Sequence, residues 1–268
     1  MIIIGEKING SIPSVGKAIA ERDEAFIKDL AIRQSEANAN YIDVCASVEG
    51  AQEMETMEWL IGLVQSVTDT PICIDSPNSQ VCVDCIKFCN KPGLINSVSM
   101  EGKKVDIVFP VIADTDWGVI ALLCDDSGIP SNVAKRLQVA DRIMALAKEY
   151  GIANNRVYID PLVTALSTNE ESLSLFVECT KELLEKYPGL HITSGLSNIS
   201  FGLPARKLIN IAFMTLAMNA GMDSAIVDPT NRDMLGNIYA TEALLQIDEF
   251  CLEYINAFRD GLIGPVKK

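Results

Sequence analysis

Short apolar segments alternate with longer amphipathic segments along the whole chain. Each short segment has the length and composition of a buried strand, and we predict a strand at each of them. The predicted strands are Met1–Ile4, Tyr41–Cys45, Pro71–Ile74, Gly93–Ile95, Gly118–Leu123, Val157–Ile159, Leu190–Thr193 and Ser224–Val227. The pattern therefore predicts a regular succession of strands, each followed by a longer element.

The longer segments carry apolar residues at helical spacing. Met57, Leu60, Ile61 and Val64 fall at i, i+3, i+4 and i+7, which places them on one face of a helix. Further helices are predicted around Ala140–Ala147, from a start at Asn169–Glu171 through Leu184, over Pro204–Ala220, and as a last long helix begun by Leu244, Ile247, Cys251 and Tyr254.

Eight strand–helix units in 268 residues fit a closed barrel better than an open doubly wound sheet. No Gly-x-Gly-x-x-Gly follows the first predicted strand and no Walker-type lysine is present, so the nucleotide-binding alternatives lose support. The chain contains no linker, low-complexity tract or internal repeat. We predict an α/β fold: a single (β/α)8 TIM barrel that occupies residues 1–268.

The charge balance is strongly acidic, with a formal net charge of −14. This balance argues against a nucleic-acid groove or an anionic membrane surface as the binding partner. No segment approaches the roughly 20 apolar residues needed to span a bilayer, and the first residues form a predicted strand rather than a signal peptide. We expect a soluble, cytoplasmic protein.

Three of the eight cysteines invite a metal interpretation. Cys82, Cys85 and Cys89 fall at i, i+3 and i+7, which would place them on one helix face. Packing of reduced thiols in the core is the simpler explanation of this spacing. The single His191 offers little help as a ligand, and its place at the start of a predicted strand indicates a structural role. We therefore expect no bound metal.

Polar residues follow the predicted strands at the end where the active site of such a barrel lies. A single Asp after a strand is usually a turn or cap residue, but a whole ring of carboxylates and amides is harder to explain in this way. The ring consists of Glu6, Asn9, Asp43, Asp75, Asn96, Asp125, Asp126, Asp160, Asn198 and Asp228. Because it is poor in Lys and Arg, it suits a neutral heterocycle rich in N–H donors rather than a phosphate.

A pterin is such a heterocycle, since its amino group and ring N–H form a fork that one carboxylate can accept. Asp75 and Asp160 are the best candidates for this contact, and Asn96 and Asn198 could serve the remaining ring nitrogens. Asn198 lies in the small-residue stretch Ser194–Ser200, where Gly195 lets the backbone approach a bound molecule closely.

Five short motifs stand in order at these strand ends: Gly5-Glu6-Lys7-Ile8-Asn9-Gly10, Ile74-Asp75-Ser76, Ile95-Asn96-Ser97, Tyr158-Ile159-Asp160-Pro161 and Gly195-Leu196-Ser197-Asn198. Together they resemble the pterin-binding barrels of the methyltetrahydrofolate:corrinoid-protein methyltransferases. The resemblance covers essentially the whole chain. The same barrel occurs in the folate domain of cobalamin-dependent methionine synthase and, more distantly, in dihydropteroate synthase.

The resemblance implies methyl transfer between N5 of tetrahydrofolate and the cobalt of a corrinoid (cobalamin) bound to a separate protein. By the same analogy Asn198 stabilises N5 as the catalytic residue. Asp75, Asn96 and Asp160 hold the pterin, and Ser197 and Arg206 lie at the edge of the site. Glu6, Asn9 and Asp43 are expected on the rim, with roles that the sequence does not divide.

The resemblance also implies a homodimer and a corrinoid protein as partner, and the acidic charge favours a partner with a basic face. The chain does not carry the corrinoid itself, because a base-off corrinoid site needs Asp-x-His-x-x-Gly and His191 lacks these neighbours.

Two positions depart from the family pattern. Relatives usually have Asn where this chain has Cys45, and acetyl-CoA-pathway members have Gln where it has Phe201. The loss of these amides suggests a different branch of the family, and our hypothesis is that it works in the demethylation direction, from a methylated corrinoid protein to tetrahydrofolate.

Two other functions stay open at the level of sequence. Dihydropteroate synthase expels pyrophosphate and needs cations, but the eighth strand here leads into Asp228-Pro229-Thr230 without a His, which counts against that reaction. A folate-binding subunit that has lost catalysis would retain the pterin site, and the changes at Cys45 and Phe201 keep this alternative alive.

Overall fold

Eight parallel strands form one sheet in the computed structural model, which describes residues 1–48, 50 and 52–265. The strands are β1 (Ile2–Asn9), β2 (Tyr41–Cys45), β3 (Ile72–Asp75), β4 (Leu94–Met100), β5 (Gly118–Asp125), β6 (Val157–Asp160), β7 (His191–Ile192) and β8 (Ser224–Val227). They follow chain order from β1 to β7, and β8 pairs with β1. A parallel bridge between Gly195 and Ile226 closes the gap between β7 and β8. The predicted (β/α)8 barrel is confirmed.

Helices surround the barrel and bury their apolar faces against it. They are α1 (Pro13–Glu21), α2 (Glu24–Glu36), α3 (Gln52–Gln65), α4 (Ser79–Cys85), α5 (Lys104–Ile112), α6 (Val133–Glu149), α7 (Ser172–Lys186), α8 (Arg206–Ala220), α9 (Arg232–Leu244) and α10 (Leu252–Arg259). On α3, the predicted face of Met57, Leu60, Ile61 and Val64 is fully buried. Among the residues that the structure describes, no helix is long and apolar enough to cross a membrane.

The barrel interior explains why polar residues gather at one end. Its lower layer is apolar and consists of Ile4, Cys73, Leu94, Ile120 and Tyr158. Because side chains alternate along a strand, the residues two positions further on also face inward. These are Glu6, Asp75, Asn96, Leu122 and Asp160, of which only Leu122 is apolar. The polar ring is therefore the next interior layer, at the C-terminal ends of the strands.

The prediction of a last long helix is wrong. Helix α9 ends at Leu244, and Gln246, Phe250 and Cys251 adopt left-handed backbone conformations with φ of 61°, 55° and 56°. Helix α10 then begins afresh, because the Asp248 carboxylate accepts hydrogen bonds from the first backbone amides of the new helix, each 3.0 Å long. Leu244, Ile247, Cys251 and Tyr254, whose spacing predicted one continuous helix, are all exposed. Their spacing therefore does not reflect a helix face that packs against the core.

Smaller differences concern element ends. Helix α7 begins at Ser172 rather than at Asn169, whose side chain accepts a hydrogen bond from Glu171 N at 3.1 Å and forms a turn. Strand β1 runs on through Glu6 to Asn9, further than predicted, while β7 is only two residues long. On and after α4, Cys82 and Cys85 are buried and Cys89 is half-buried, in keeping with a packing role.

Candidate active site

Asp43, Asp75 and Asn96 meet at the barrel mouth on the neighbouring strands β2, β3 and β4. The Asn96 amide Nδ2 donates a hydrogen bond of 3.1 Å to Asp43 Oδ1. Burial and the nearby Asp75 charge raise the pKa of Asp43 well above its ordinary value, whereas burial raises the pKa of Asp75 only to about 6. At neutral pH Asp43 is therefore the protonated member of the pair and Asp75 the ionised one.

Glu53 extends this group and was missed by the sequence analysis. Ser76 Oγ donates a hydrogen bond of 2.5 Å to Glu53 Oε1, and the Glu53 charge contributes to the raised pKa of Asp75. Nothing in the sequence distinguishes Glu53 from an ordinary acid in the first turn of a helix, which is where it lies in α3.

Asp160 lies across the mouth on β6 and is buried. Its carboxylate accepts hydrogen bonds from Leu162 N at 2.7 Å and Gly195 N at 3.3 Å. Burial raises the pKa of Asp160 to about 6, and these bonds and the Arg136 charge oppose the rise. Arg136 is itself buried and donates to Pro161 O at 2.8 Å; it escaped notice because it lies on an otherwise apolar face of α6.

Asn198 is exposed in the 3₁₀ turn Leu196–Ser200 that follows β7. Its amide lies directly over Gly195, since a Cβ added there would come within 3.1 Å of Asn198 Nδ2. Arg206 braces the same turn, with Nη2 donating to Ser197 O at 2.7 Å and Nε to Ser200 Oγ at 3.0 Å. Asp160 and Asn198 are thus connected through the backbone of Gly195.

Glu6 and Asp228 lie on the side of the mouth formed by β1 and β8. Burial, followed by the Asp228 charge, raises the pKa of Glu6 to about 7, while Lys7 and Arg206 lower it. Asp228 Oδ2 lies 3.4 Å from Lys7 Nζ, and Asp228 Oδ1 accepts a hydrogen bond from Thr230 N at 2.9 Å.

Other members of the predicted ring serve turns instead. Asn9 Oδ1 accepts hydrogen bonds from both the backbone and the side chain of Ser11 and from Ser47 Oγ at 3.0 Å. Asp125 caps the turn at Ser127, and Asp126 accepts a hydrogen bond from Gly102 N at 2.8 Å. The carboxylates of Asp125 and Asp126 and the carbonyl oxygen of Asn9 are thus occupied by local bonds.

The two departures from the family pattern lie close to the site. Cys45 is buried beside Asp75, its sulfur 3.2 Å from Ser47 Oγ, and burial raises the pKa of its thiol to about 12. The thiol is therefore neutral and is a weak donor at the position where the resemblance predicts an amide. Phe201 follows the Asn198 turn and is 68% exposed.

His191 lies at the opposite end of the barrel from the polar ring. Its Nδ1 is 2.7 Å from Asp223 Oδ2, and its ring stacks on Tyr158 with 4.4 Å between centroids. This environment matches the structural role predicted for it. Within the described ranges, no group of His, Cys, Asp and Glu side chains is arranged to hold a metal ion.

Comparisons with known proteins identify relatives of this chain. The sequence model of the family described as pterin binding enzyme matches residues 14–228. A methylcorrinoid:tetrahydrofolate methyltransferase of Eubacterium limosum is 52% identical over 269 residues, covering 100% of this chain and 99% of that protein. A methionine synthase of Mycobacterium leprae is 30% identical over 85% of this chain, which spans only 20% of that longer protein.

Solved structures support the fold alone. A dihydropteroate synthase of Xanthomonas albilineans, in complex with indole-2-carboxylic acid and 6-chloroguanine, has a TM-score of 0.67 at 17% identity, covering 92% of both chains. A Yersinia pestis dihydropteroate synthase gives the same TM-score at 16% identity.

Proposed function

This chain belongs to the pterin-binding enzyme family, and we propose that it is a methyltransferase acting between N5 of tetrahydrofolate and the cobalt of a corrinoid held by a separate protein. The observation that carries the proposal is the full-length 52% identity to a methylcorrinoid:tetrahydrofolate methyltransferase. We assign the same direction, from methylated corrinoid protein to tetrahydrofolate, which is also the direction suggested by Cys45 and Phe201.

The chemistry of the mouth supports a pterin as the ligand. Asp75 is ionised at neutral pH and can accept the fork of amino and ring N–H groups. Asn96 is fixed by its bond to Asp43, so that its carbonyl oxygen is free to accept a further ring N–H. Asp160 supplies a second buried carboxylate on the opposite wall, and Ser197 and Arg206 form the edge beside it.

Asn198 is the residue that we assign to N5. In the proposed direction the N5 lone pair forms a bond to the methyl carbon, and the carbon–cobalt bond breaks with both electrons left on cobalt. N5 becomes more positive as this happens, and the carbonyl oxygen of the Asn198 amide can accept a hydrogen bond from N5–H and stabilise that charge. Its exposure at the mouth suits a group that must meet both substrates.

Exposed apolar residues on α8, α9, α10 and the segment between α9 and α10 support the proposal that the protein is a homodimer. We call them the C-terminal apolar surface: Leu208, Leu216, Leu244, Ile247, Phe250, Leu252, Tyr254, Ile255 and Phe258. Helix α9 packs against both α8 and α10, so these residues share one side of the barrel. Large exposed apolar patches are typical of protein interfaces. All eight cysteines are unpaired, which supports the proposal of a reducing, cytoplasmic location.

The test mixes the purified protein with tetrahydrofolate and methylcobalamin and follows the formation of cob(I)alamin by absorbance. The reverse reaction, from methyltetrahydrofolate and cob(I)alamin, is measured in parallel. We expect turnover in both, a preference for the first, and a fall of about 10²–10³-fold in kcat for Asn198→Ala with tetrahydrofolate binding retained. Folate binding without turnover, with free or protein-bound corrinoid, would favour a non-catalytic subunit instead.

A further inference from the structure

The proposed reaction releases a proton for which the assigned residues provide no acceptor. N5 of tetrahydrofolate carries a hydrogen before methylation and none in the methylated product at neutral charge. The Asn198 amide can accept a hydrogen bond but cannot hold the proton, because a neutral amide is not protonated in water near neutral pH. A carboxylate at the mouth is the natural acceptor.

Two of the carboxylates at the mouth are engaged elsewhere. Asp160 accepts backbone bonds from Leu162 and Gly195, and these bonds stabilise its ionised form and oppose protonation. The ionised Asp75 already accepts a hydrogen bond from the protonated Asp43 and is the fork acceptor for the pterin. Neither can take up a proton in each turnover without losing the contacts that hold the ligand.

Glu6 is differently placed. It lies one interior layer above Ile4 on β1, half-buried, and faces the mouth. Its carboxylate accepts no hydrogen bond from any residue in the described part of the chain, and no cation lies within salt-bridge distance of it there. Its electrostatic neighbours include Arg206, whose guanidinium braces the turn that carries Asn198. An uncommitted carboxylate thus faces the same space as the catalytic amide.

We propose that Glu6 is the general base that accepts the N5 proton during methyl transfer; the inference rests on the function proposed above. The N5 lone pair bonds to the methyl carbon, the carbon–cobalt electron pair stays on cobalt, the N5–H bond breaks, and the proton passes to the Glu6 carboxylate. The carboxyl group then returns the proton to solvent at the open mouth. In the reverse direction the protonated carboxyl donates.

The electrostatic surroundings suit this task. Burial and the Asp228 charge raise the pKa of Glu6 to about 7, against the lowering effects of Lys7 and Arg206, and the adjacent Asp43 is neutral. A general base is most effective when its pKa lies near the working pH. Asp228 is therefore a positioning residue that adds to the effect of burial in raising the proton affinity of Glu6.

The experiment measures the pH dependence of kcat at saturating tetrahydrofolate and methylcobalamin. For the wild-type protein we expect kcat to rise with pH and level off above about 7, and to show the opposite trend in the reverse direction. Glu6→Gln should lose about 10²–10⁴-fold in kcat and this inflection, while its tetrahydrofolate affinity measured by calorimetry stays within a few-fold. Glu6→Asp should recover part of the rate.

Two further variants separate catalysis from structure. Asp228→Asn removes the charge that raises the Glu6 pKa, so the inflection should move to lower pH. Glu170→Gln, an exposed rim glutamate on the loop before α7, is the matched control and should keep both rate and profile. A merely structural role for Glu6 would not predict the shift in Asp228→Asn.

The outcomes distinguish this proposal from the one on which it rests. Wild-type turnover with an unchanged rate and pH profile in Glu6→Gln overturns the role of Glu6 alone. Loss of folate affinity in Glu6→Gln, as large as the loss in kcat, makes Glu6 a binding residue and also overturns it. Absence of any wild-type turnover overturns the proposed function, and the role of Glu6 with it.

Discussion

The side-chain amide of Asn96 donates a hydrogen bond to Asp43 over 3.1 Å, and Asp43 in turn faces the ionised Asp75. A neutral Asp43 can accept from Asn96 through one oxygen and donate its proton to Asp75 through the other. The three side chains then form one directional chain of hydrogen bonds. This chain fixes the amide orientation of Asn96 and the carboxylate orientation of Asp75, which are the two groups presented to the pterin.

The protonation state of Asp43 yields the first prediction. Asp43→Asn replaces a neutral carboxyl group by an amide that can also accept from Asn96 and donate to Asp75. We therefore expect tetrahydrofolate affinity within about 3-fold of the wild type, because both hydrogen bonds persist. Asp43→Ala removes both and should weaken binding by about 10–100-fold, corresponding to roughly 1.5–3 kcal/mol for a hydrogen bond to a charged group. Calorimetric titration of both variants decides; equal losses would show that Asp43 is ionised in the native protein.

Asp160 yields a prediction about stability. Burial raises its pKa from an ordinary 3.8 to about 6, so the folded state holds this proton more tightly than the unfolded state between these values. The free energy of unfolding therefore falls as pH rises through this window and stays lower above it. The cost at neutral pH is on the order of 3 kcal/mol, at about 1.4 kcal/mol for each pKa unit.

In Asp160→Asn the side chain at this position cannot ionise, so the variant does not lose free energy of unfolding as the pH rises. We expect its stability relative to the wild type to improve by about 2–3 kcal/mol between pH 4 and pH 7, while its affinity for tetrahydrofolate falls. Urea unfolding at both pH values measures the change. Asp114→Asn is the control and should show no such pH-dependent difference, because Asp114 is exposed and its carboxylate makes no hydrogen bond or ion pair within the described residues. A constant difference for Asp160→Asn would mean that burial does not destabilise the ionised carboxylate.

The sequence sufficed for the barrel because its signals are local. Strand β2 and strand β8 have the predicted bounds, since each is a short apolar run between polar turns. The relations inside the mouth are not local. Glu53 and Arg136 enter the site only because the barrel brings α3 close to Ser76 after β3 and α6 close to Pro161 after β6. Likewise the ring pattern alone did not separate Glu6, which faces the mouth, from Asn9, whose carbonyl oxygen is occupied by a turn.

The C-terminal apolar surface yields a prediction about assembly. Leu244 and Phe250 are 79% and 89% exposed, so each can be replaced without disturbing the core. If two copies pack through this surface, Leu244→Asp with Phe250→Asp buries two charges at the interface, and the dimer should dissociate. Light scattering after size exclusion should give a dimer for the wild type and a monomer for the double variant.

Val111→Asp provides the control for this prediction. Val111 is 45% exposed on α5, outside the C-terminal apolar surface, and its substitution should leave the dimer intact. Far-UV circular dichroism confirms that each variant is folded. A wild-type monomer, or a double variant that remains dimeric, would rule out this surface as the interface.

Gly195 offers the most direct test of the placement of Asn198. Its φ of −69° is open to any residue, so an alanine there causes no backbone strain, but its Cβ would come within 3.1 Å of Asn198 Nδ2. The amide must then move by a few tenths of an ångström, and catalytic hydrogen bonds are sensitive to such displacements. We expect kcat for Gly195→Ala to fall by about 10-fold with little change in thermal stability.

Gly62→Ala is the control with the same chemical change, since Gly62 lies on the exposed side of α3 with no atom within 4 Å of an added Cβ. That variant should gain about 0.5–1 kcal/mol of stability through helix propensity and keep its kcat. A Gly195→Ala enzyme with full activity would show that Asn198 acts from a position away from Gly195.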